Sequence, residues 1–429
     1  MKQWFEEKFI PVAAKIANQR HILALRDGII LAMPLLIVGS LAIIIGEFPV
    51  EGYQTFMAGI FGEGWNEFVW NDIAVATISL IAVIAAFGIA KSLVDSYGID
   101  GTPAGVVSLS VFFVLNNLDT ETWGWNADLF GASNLFVALI AALLVGELYR
   151  VIVQKKLVIK LPSSVPPSIS RSFTALVPAG AAIILAFIVK LIFRATPFET
   201  FGGFITAIVS APLTFAGTSY PGAALAIIIE QLLWSFGIHG SSIVTAVMEP
   251  IWLNANLENL AAFQAGAAQL PHIVTQTFIE NFMWIGGSGA TLPVVLYMLC
   301  FARSKLLKDV GRLSIAPGIF NINEPVVFGL PIVLNPFLMI PYIVSPLVIL
   351  TISYAGMALG IFPRMAGLTI PWTTPYFISG YLATGGHFGG VILQLINFVV
   401  AFFIWWPFIG SWDRRNYAEE KKAEGIAVK

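Results

Sequence analysis

The stretch Ile29-Ile-Leu-Ala-Met-Pro-Leu-Leu-Ile-Val-Gly-Ser-Leu-Ala-Ile-Ile-Ile45 carries no charged side chain. A helix rises 1.5 Å per residue, so such a run with its flanking residues reaches across a hydrocarbon core about 30 Å thick. Comparable apolar runs recur near 73–94, 103–117, 131–153, 173–193, 222–248, 289–302, 332–361 and 388–410. Only helices and closed barrels satisfy their backbone polar groups inside lipid, and runs of this length read as helices. Composition agrees. The chain is 57% hydrophobic and 11% charged, against about a quarter charged in a soluble domain. Its mean hydropathy is +0.83. The fold class expected is an all-α membrane protein.

The same composition removes several function classes. A net charge of -2 with no basic domain excludes nucleic-acid recognition. One cysteine, Cys300, rules out a disulfide framework within the chain and a cysteine metal cluster. The histidines lack ligand spacing, no Walker A run is present, and no metal or cofactor is expected. The charged opening, with Lys2, Glu6, Glu7, Lys8, Lys15, Arg20 and Arg26, does not read as a cleaved signal peptide.

Lys and Arg positions set the expected orientation. Five precede the first span. The loop 49–72 has none and carries Glu51, Glu63, Glu67 and Asp72. Lys91 follows the second span, and the loop 118–130 carries Asp119, Glu121 and Asp128 without a cation. Arg150, Lys155, Lys156, Lys160 and Arg171 follow the fourth span, and Arg414, Arg415, Lys421, Lys422 and Lys429 close the chain. This alternation implies an even number of spans in a multi-pass chain with both termini cytoplasmic. Lys190 and Arg194 fit the alternation poorly.

Beyond about 195 the character changes. Residues 195–302 contain no Lys or Arg, yet hold Glu199, Glu230, Glu249, Glu258 and Glu280. Gly, Pro, Asn, Thr and Ser interrupt the apolar runs up to about 390. The segments 270–293 and 313–336 are too polar for lipid and too apolar for water. Broken backbone at membrane depth persists where protein buries it or a watery cavity exposes it, and in transporters it marks the substrate site. The expected organisation is a cytoplasmic amphipathic segment over 1–28, a scaffold and dimerisation domain over 29–195, a transport domain over 196–412, and a cytoplasmic tail over 413–429.

Three motifs lie in that second part. Trp234-Ser-Phe-Gly-Ile-His-Gly-Ser-Ser places His239 among small residues at the end of an apolar run. Pro317-Gly-Ile-Phe-Asn-Ile-Asn-Glu-Pro places Glu324 between Asn323 and Pro325. Ile370-Pro-Trp-Thr-Thr-Pro exposes Trp372 behind a proline. An ionisable group at membrane depth is a functional candidate by default, and Pro325 disfavours helix at Glu324. Asn321 and Asn323 add amide donors and acceptors, which suit sugar hydroxyls. Trp372 offers an aromatic face for a pyranose ring, with Thr373 and Thr374 beside it. The competing readings are a solvated Glu324 near Lys305, Lys308 and Arg312, a histidine satisfying a helix break, and an interfacial tryptophan. Glu230 and Glu249 read as buried carboxyls. His272 and His387 read as structural, His21 as solvated and Cys300 as inert packing.

Gly237-Ile-His-Gly, Asn321-Ile-Asn-Glu-Pro-Val-Val-Phe-Gly-Leu-Pro, the Pro371-Trp372 turn, Leu25-Arg-Asp-Gly and Met33-Pro together resemble the enzyme IIC proteins of the lactose/cellobiose/diacetylchitobiose phosphotransferase systems. The resemblance covers essentially the whole chain. It implies about ten transmembrane helices with re-entrant hairpins in the 196–412 transport domain, homodimerisation through the first spans, and movement of a disaccharide in an elevator-like cycle. It also implies phosphorylation of a primary hydroxyl by a phosphocysteine of an enzyme IIB partner, itself served by IIA. Glu324 and His239 would then act at that hydroxyl, and Asn321, Asn323, Trp372 and Thr373 would bind the sugar. Cys300 stands in Leu299-Cys-Phe-Ala-Arg without a phosphate-cradling loop, so IIB and IIA are expected on separate chains. Two other readings stay open: an ion-coupled secondary transporter using Glu230, Glu249 or Glu324 as a proton site, and an intramembrane enzyme on lipid-linked sugars, for which no close acid pair is visible.

Overall fold

The computed structural model describes residues 19–46, 52–118, 123–159, 161–162 and 167–423. Most of the expected 1–28 segment lies outside the described residues, as do Glu51, Asp119, Glu121, Lys160 and residues 424–429 of the tail. Helices account for the regular structure described, with no β-strand among the described residues. The principal ones are α1 (Arg20–Ile30), α2 (Met33–Gly46), α3 (Ile81–Asp95), α4 (Thr102–Leu115), α5 (Leu135–Gln154), α6 (Pro167–Arg194), α7 (Tyr220–Ser235) and α8 (Gly240–Gln264). They continue with α9 (Leu292–Cys300), α10 (Lys305–Ile319), α11 (Glu324–Gly329), α12 (Pro336–Ala358) and α13 (Phe388–Ala423). Seven helical stretches among the described residues are long and apolar enough to cross a membrane: 20–46, 75–95, 135–154, 173–194, 201–218, 336–358 and 388–423.

Several expected spans change on folding. The run 222–248 divides into α7 and α8, separated at 236–239. The run 289–302 gives only the nine-residue α9. The helical stretch 201–218 was not expected, because Gly202, Gly203, Thr206 and Ser210 dilute its hydropathy. Helix α12 begins with Pro336 in its first turn and runs through Pro341 and Pro346 without ending. Residues 413–423 of the expected tail continue α13 as helix.

The chain forms two compact units, one of Met1–Ala216 with Ala246–Leu257, the other of Gly217–Thr245 with Glu258–Lys429. The middle of α8 therefore belongs to the first unit and its two ends to the second.

In the first unit α3 packs against α1, α4 and α5. Its buried face carries Ala82, Ala85, Ala86 and Ala90, all fully buried, and small residues allow close helix contact where lipid supplies no hydrophobic drive between helices. A polar cluster ties the ends of these helices. Tyr97 donates to Glu147 at 2.9 Å, Arg150 pairs with the same carboxylate, and the Arg20 and Arg150 guanidinium groups lie 4.4 and 4.6 Å from the Tyr97 ring centroid. His21 belongs to it, with Nε2 3.1 Å from Glu147, so it is not simply solvated. Lys190, the cation that fits the charge alternation poorly, donates to the Asn116 carbonyl at 2.8 Å.

The second unit has a core of Trp234, Val294, Val295, Met298, Leu307, Val326, Val327, Leu330, Ile332, Tyr342, Trp405 and neighbours. The first turn of α10 is held by α13. The buried Asp413 accepts from the Arg303 and Ser304 amides and from Ser304 Oγ, at 2.8–3.1 Å, while Glu420 accepts from the Lys305 and Leu306 amides. Three orphan amides of this helix start, those of Ser304, Lys305 and Leu306, thus find partners 109–115 residues away in the chain, and the fourth, that of Leu307, donates to Ser304 Oγ. Cys300, expected as packing, is exposed at the end of α9.

Candidate functional site

The turn between α7 and α8 shows why its sequence is Gly-Ile-His-Gly. Helix α7 ends with Gly237 at φ +79°. The Ile238 amide reaches the Leu233 carbonyl at 3.0 Å, and the Gly237 amide reaches Trp234 O at 2.9 Å. This left-handed C-cap is open to glycine at no steric cost. Gly240 opens α8 so near α7 that a Cβ there would collide with the Glu230 carbonyl and lie 3.0 Å from Trp234 Cδ1.

His239, between them, is the N-cap of α8. Its Nδ1 accepts from the Ser242 amide at 3.2 Å and lies 2.8 Å from Ser242 Oγ. An amide N–H can only donate, so Nδ1 is the bare nitrogen and Nε2 carries the hydrogen. The ring is exposed, and Nε2 has no partner among the described residues. The ring lies against Trp234, centroids 4.4 Å apart. Trp234 Nε1 donates to Ser241 Oγ at 3.1 Å, and Ser241 Oγ donates to Glu230 Oε1 at 2.5 Å. Glu230 is 1% exposed, as its sequence context suggested.

The second motif is a knot of loop backbone. Asn321 has φ +61°, a conformation that asparagine tolerates better than most residues. Its Oδ1 accepts from the Gly286 amide at 2.9 Å, and its Nδ2 donates to the carbonyls of Trp372 (2.7 Å) and Thr374 (3.1 Å). Asn323 Nδ2 donates to Ser288 O at 2.6 Å and contacts Ser288 Oγ at 3.2 Å. Both asparagines are 4% exposed. These amide hydrogens, expected to meet a sugar, are occupied by the protein itself.

Glu324 opens α11, with Pro325 in the first turn, where a missing N–H costs nothing. The expectation that Pro325 would keep Glu324 out of a helix therefore does not hold. Glu324 is half-buried, and its carboxylate forms no hydrogen bond or ion pair among the described residues. It does not pair with Lys305, Lys308 or Arg312; the nearest carboxylate to Arg312 is Asp309 at 3.7 Å. The third motif follows an irregular stretch over 363–371. Trp372 is exposed and Thr373 half-buried, and the turn is fastened to Asn321.

The loop that joins these pieces lies inside the irregular segment 270–293 expected from sequence, a reading that singled out none of its residues. Trp284-Ile-Gly-Gly-Ser-Gly-Ala-Thr291 runs with positive φ at 286, 287, 289 and 290. Ser288 Oγ lies 2.5 Å from the Tyr342 hydroxyl, and Trp405 Nε1 donates to Gly289 O at 3.1 Å. The cluster of glycines was the available signal. Tyr342, fully buried, gave none, because it lies within an apolar run. The second and third motifs are thus directly bonded through Asn321. The first joins them through the core: Trp234 shares a buried cluster with Val326 and Val327 of α11, and the Leu334 amide donates to Ser235 O at 2.8 Å.

The weaker candidates are structural in their contacts. His272 Nε2 is 2.5 Å from Glu258, and Asn259 binds both the His272 backbone and the Met365 carbonyl. Glu249 is 5% exposed. No cluster of three or more metal-ligating side chains occurs among the described residues.

Residues 26–346 match the family profile described as phosphotransferase system, EIIC. The chain belongs to this family. The EIIC chain is 45% identical to the lichenan permease IIC component of Bacillus subtilis (strain 168), over 99% of its own length and 96% of that protein. It is 46% identical to the cellobiose-specific EIIC component of Geobacillus stearothermophilus, over 97% and 95%. Its structure is similar to the crystal structure of the transporter ChbC, the IIC component of the N,N'-diacetylchitobiose-specific phosphotransferase system. The TM-score is 0.93 at 45% identity, covering 99% of this chain and 100% of that one. The lactose-specific EIICB component of Lacticaseibacillus casei is 32% identical over 98% of this chain and 72% of that longer protein. This EIIC chain is a multi-pass membrane permease component that works with IIB and IIA partners on a sugar.

Proposed function

We propose that this EIIC chain carries a β-linked disaccharide of the cellobiose or diacetylchitobiose class inward across the bacterial cytoplasmic membrane. A phosphocysteine of a IIB partner then phosphorylates a primary hydroxyl of the sugar. The substrate class is supported by the names of the similar proteins, among them cellobiose, lichenan and diacetylchitobiose components. The observation that carries the site is a complementary pair of free groups: the unpartnered Glu324 carboxylate and the exposed Nε2–H of His239.

A hydroxyl both donates and accepts. Its hydrogen would go to Glu324, and its oxygen would accept from His239. As that oxygen attacks phosphorus, the O–P bond forms and the S–P bond breaks. The proton passes to Glu324, and the IIB thiolate leaves. Positioning and charge placement do most of the work in such transfers. Trp372 would stack on a pyranose ring with Thr373 beside it. Asn321 and Asn323 would hold the loops on which these side chains stand. The donor cysteine would come from another chain, since Cys300 stands at a helix end without a phosphate cradle. The first part of the chain, about 29–195, would form the scaffold and a homodimer contact, 196–412 would move the sugar, and both termini would face the cytoplasm.

The test is phosphoenolpyruvate-dependent uptake of cellobiose and diacetylchitobiose in vesicles supplied with IIA and IIB, comparing wild type with E324Q. Donor-dependent uptake is expected, with E324Q losing phosphorylation at least a hundredfold while still binding sugar. Accumulation without IIB that follows a proton gradient would overturn the proposal in favour of ion-coupled transport.

A further inference from the structure

We infer that Glu230 is a positioning residue for His239, acting through Ser241 and Trp234; the inference rests on the reading of His239 given above. Glu230 is a carboxyl-bearing side chain 1% exposed in the last turns of α7. Burying such a group is costly unless it is bonded, and nothing in the proposed transfer uses it directly. Its Oε1 accepts from Ser241 Oγ, which in turn accepts from Trp234 Nε1.

This chain fixes two things at once. It holds the Trp234 indole, against which the His239 imidazole lies tilted by 46° with the ring centroids 4.4 Å apart. It also anchors Ser241, one residue before Ser242, whose amide and hydroxyl hold Nδ1. Both restraints on the ring, the contact with Trp234 and the bonds to Nδ1, lead back to Glu230. The exclusion of a Cβ at Gly240 keeps the distance short. His239 therefore presents Nε2–H in one direction because Glu230 holds what it rests on.

The experiment uses the full chain in detergent with ¹⁵N-labelled histidine. The chain has four histidines, and the H239Q variant identifies the signals of His239. In E230L and in S241A the Nδ1 resonance of His239 is expected to move, while E230Q, which keeps an oxygen for Ser241, restores its position. Phosphorylation turnover with IIB is expected to fall tenfold or more in E230L and S241A with sugar affinity changed less than threefold, and to return largely in E230Q. In the H239Q background E230L is expected to cost less than twofold further. An unmoved His239 signal in both E230L and S241A overturns the positioning role, as does an equal cost of E230L in both backgrounds. Turnover of H239Q at the wild-type rate overturns the reading of His239 itself, which the ring shifts keep separate from the linkage to Glu230.

Discussion

The side-chain amide of Asn321 donates to the Trp372 carbonyl at 2.7 Å, joining residues 51 positions apart in the chain. The same side chain accepts from the Gly286 amide, so three loops depend on it. Asn321→Ala removes these bonds, leaves a buried amide unsatisfied and places alanine at φ +61°. The expected cost is about 2–4 kcal/mol, of which about 1 is backbone strain. Asn321→Gly should recover the strain portion alone. Thermal unfolding in detergent measures the first effect. Weaker sugar binding in both variants, as the Trp372 turn loosens, measures the second.

Tyr342→Phe tests the same knot from below. The hydroxyl is buried against Ser288 at 2.5 Å, and deleting it leaves Ser288 Oγ only the 3.2 Å bond from Asn323, a loss of about 1 kcal/mol. Because Asn323 also holds Ser288, the loop should shift without the unit unfolding. Sugar uptake falling more than stability does, compared in one preparation, is the expected result.

Asp413→Ala should release the start of α10. Arg303 and Ser304 lose their acceptor in a buried place, which costs about 2–4 kcal/mol for a charged cap. Asp413→Asn keeps one oxygen and is expected to lose less. Hydrogen exchange over residues 303–310 should accelerate in both, and most in the alanine variant.

Gly240→Ala adds one carbon where the Glu230 carbonyl already stands. Forcing the helices apart should cost about 1–3 kcal/mol and tilt the His239 ring on Trp234. A lower midpoint of unfolding together with altered tryptophan fluorescence is the expected outcome.

Much of this fold could be read before folding. Charge-free runs announced the spans because lipid admits little else. The break at Gly237 and Gly240 was legible only as a competing reading of His239, because 222–248 is apolar enough to pass for one span, although a left-handed cap and a close helix approach both select glycine. The helical stretch 201–218 was not, since its glycines and hydroxyls lower hydropathy without ending the helix. Glu324 stood out because a carboxylate in apolar surroundings is rare. The part played by Asn321 was hidden for a different reason. An amide that binds a carbonyl and one that binds a sugar are the same residue type, and its partners at 372 and 374 lie too far along the chain to suggest themselves. Tyr342 and Trp405 look like any aromatic in an apolar run; only their contacts with Ser288 and Gly289 set them apart.

The sharing of α8 between the two units bears on how the chain is made. Residues 217–245 leave the ribosome before Ala246–Leu257, yet it is the later segment that completes the first unit. Neither unit is a continuous stretch of gene. The first unit therefore lacks one of its pieces until α7 and the His239 turn have been made. A gene split after residue 216 would yield a first half lacking one of its own pieces, and rejoining the halves would require that piece to be returned by the other polypeptide.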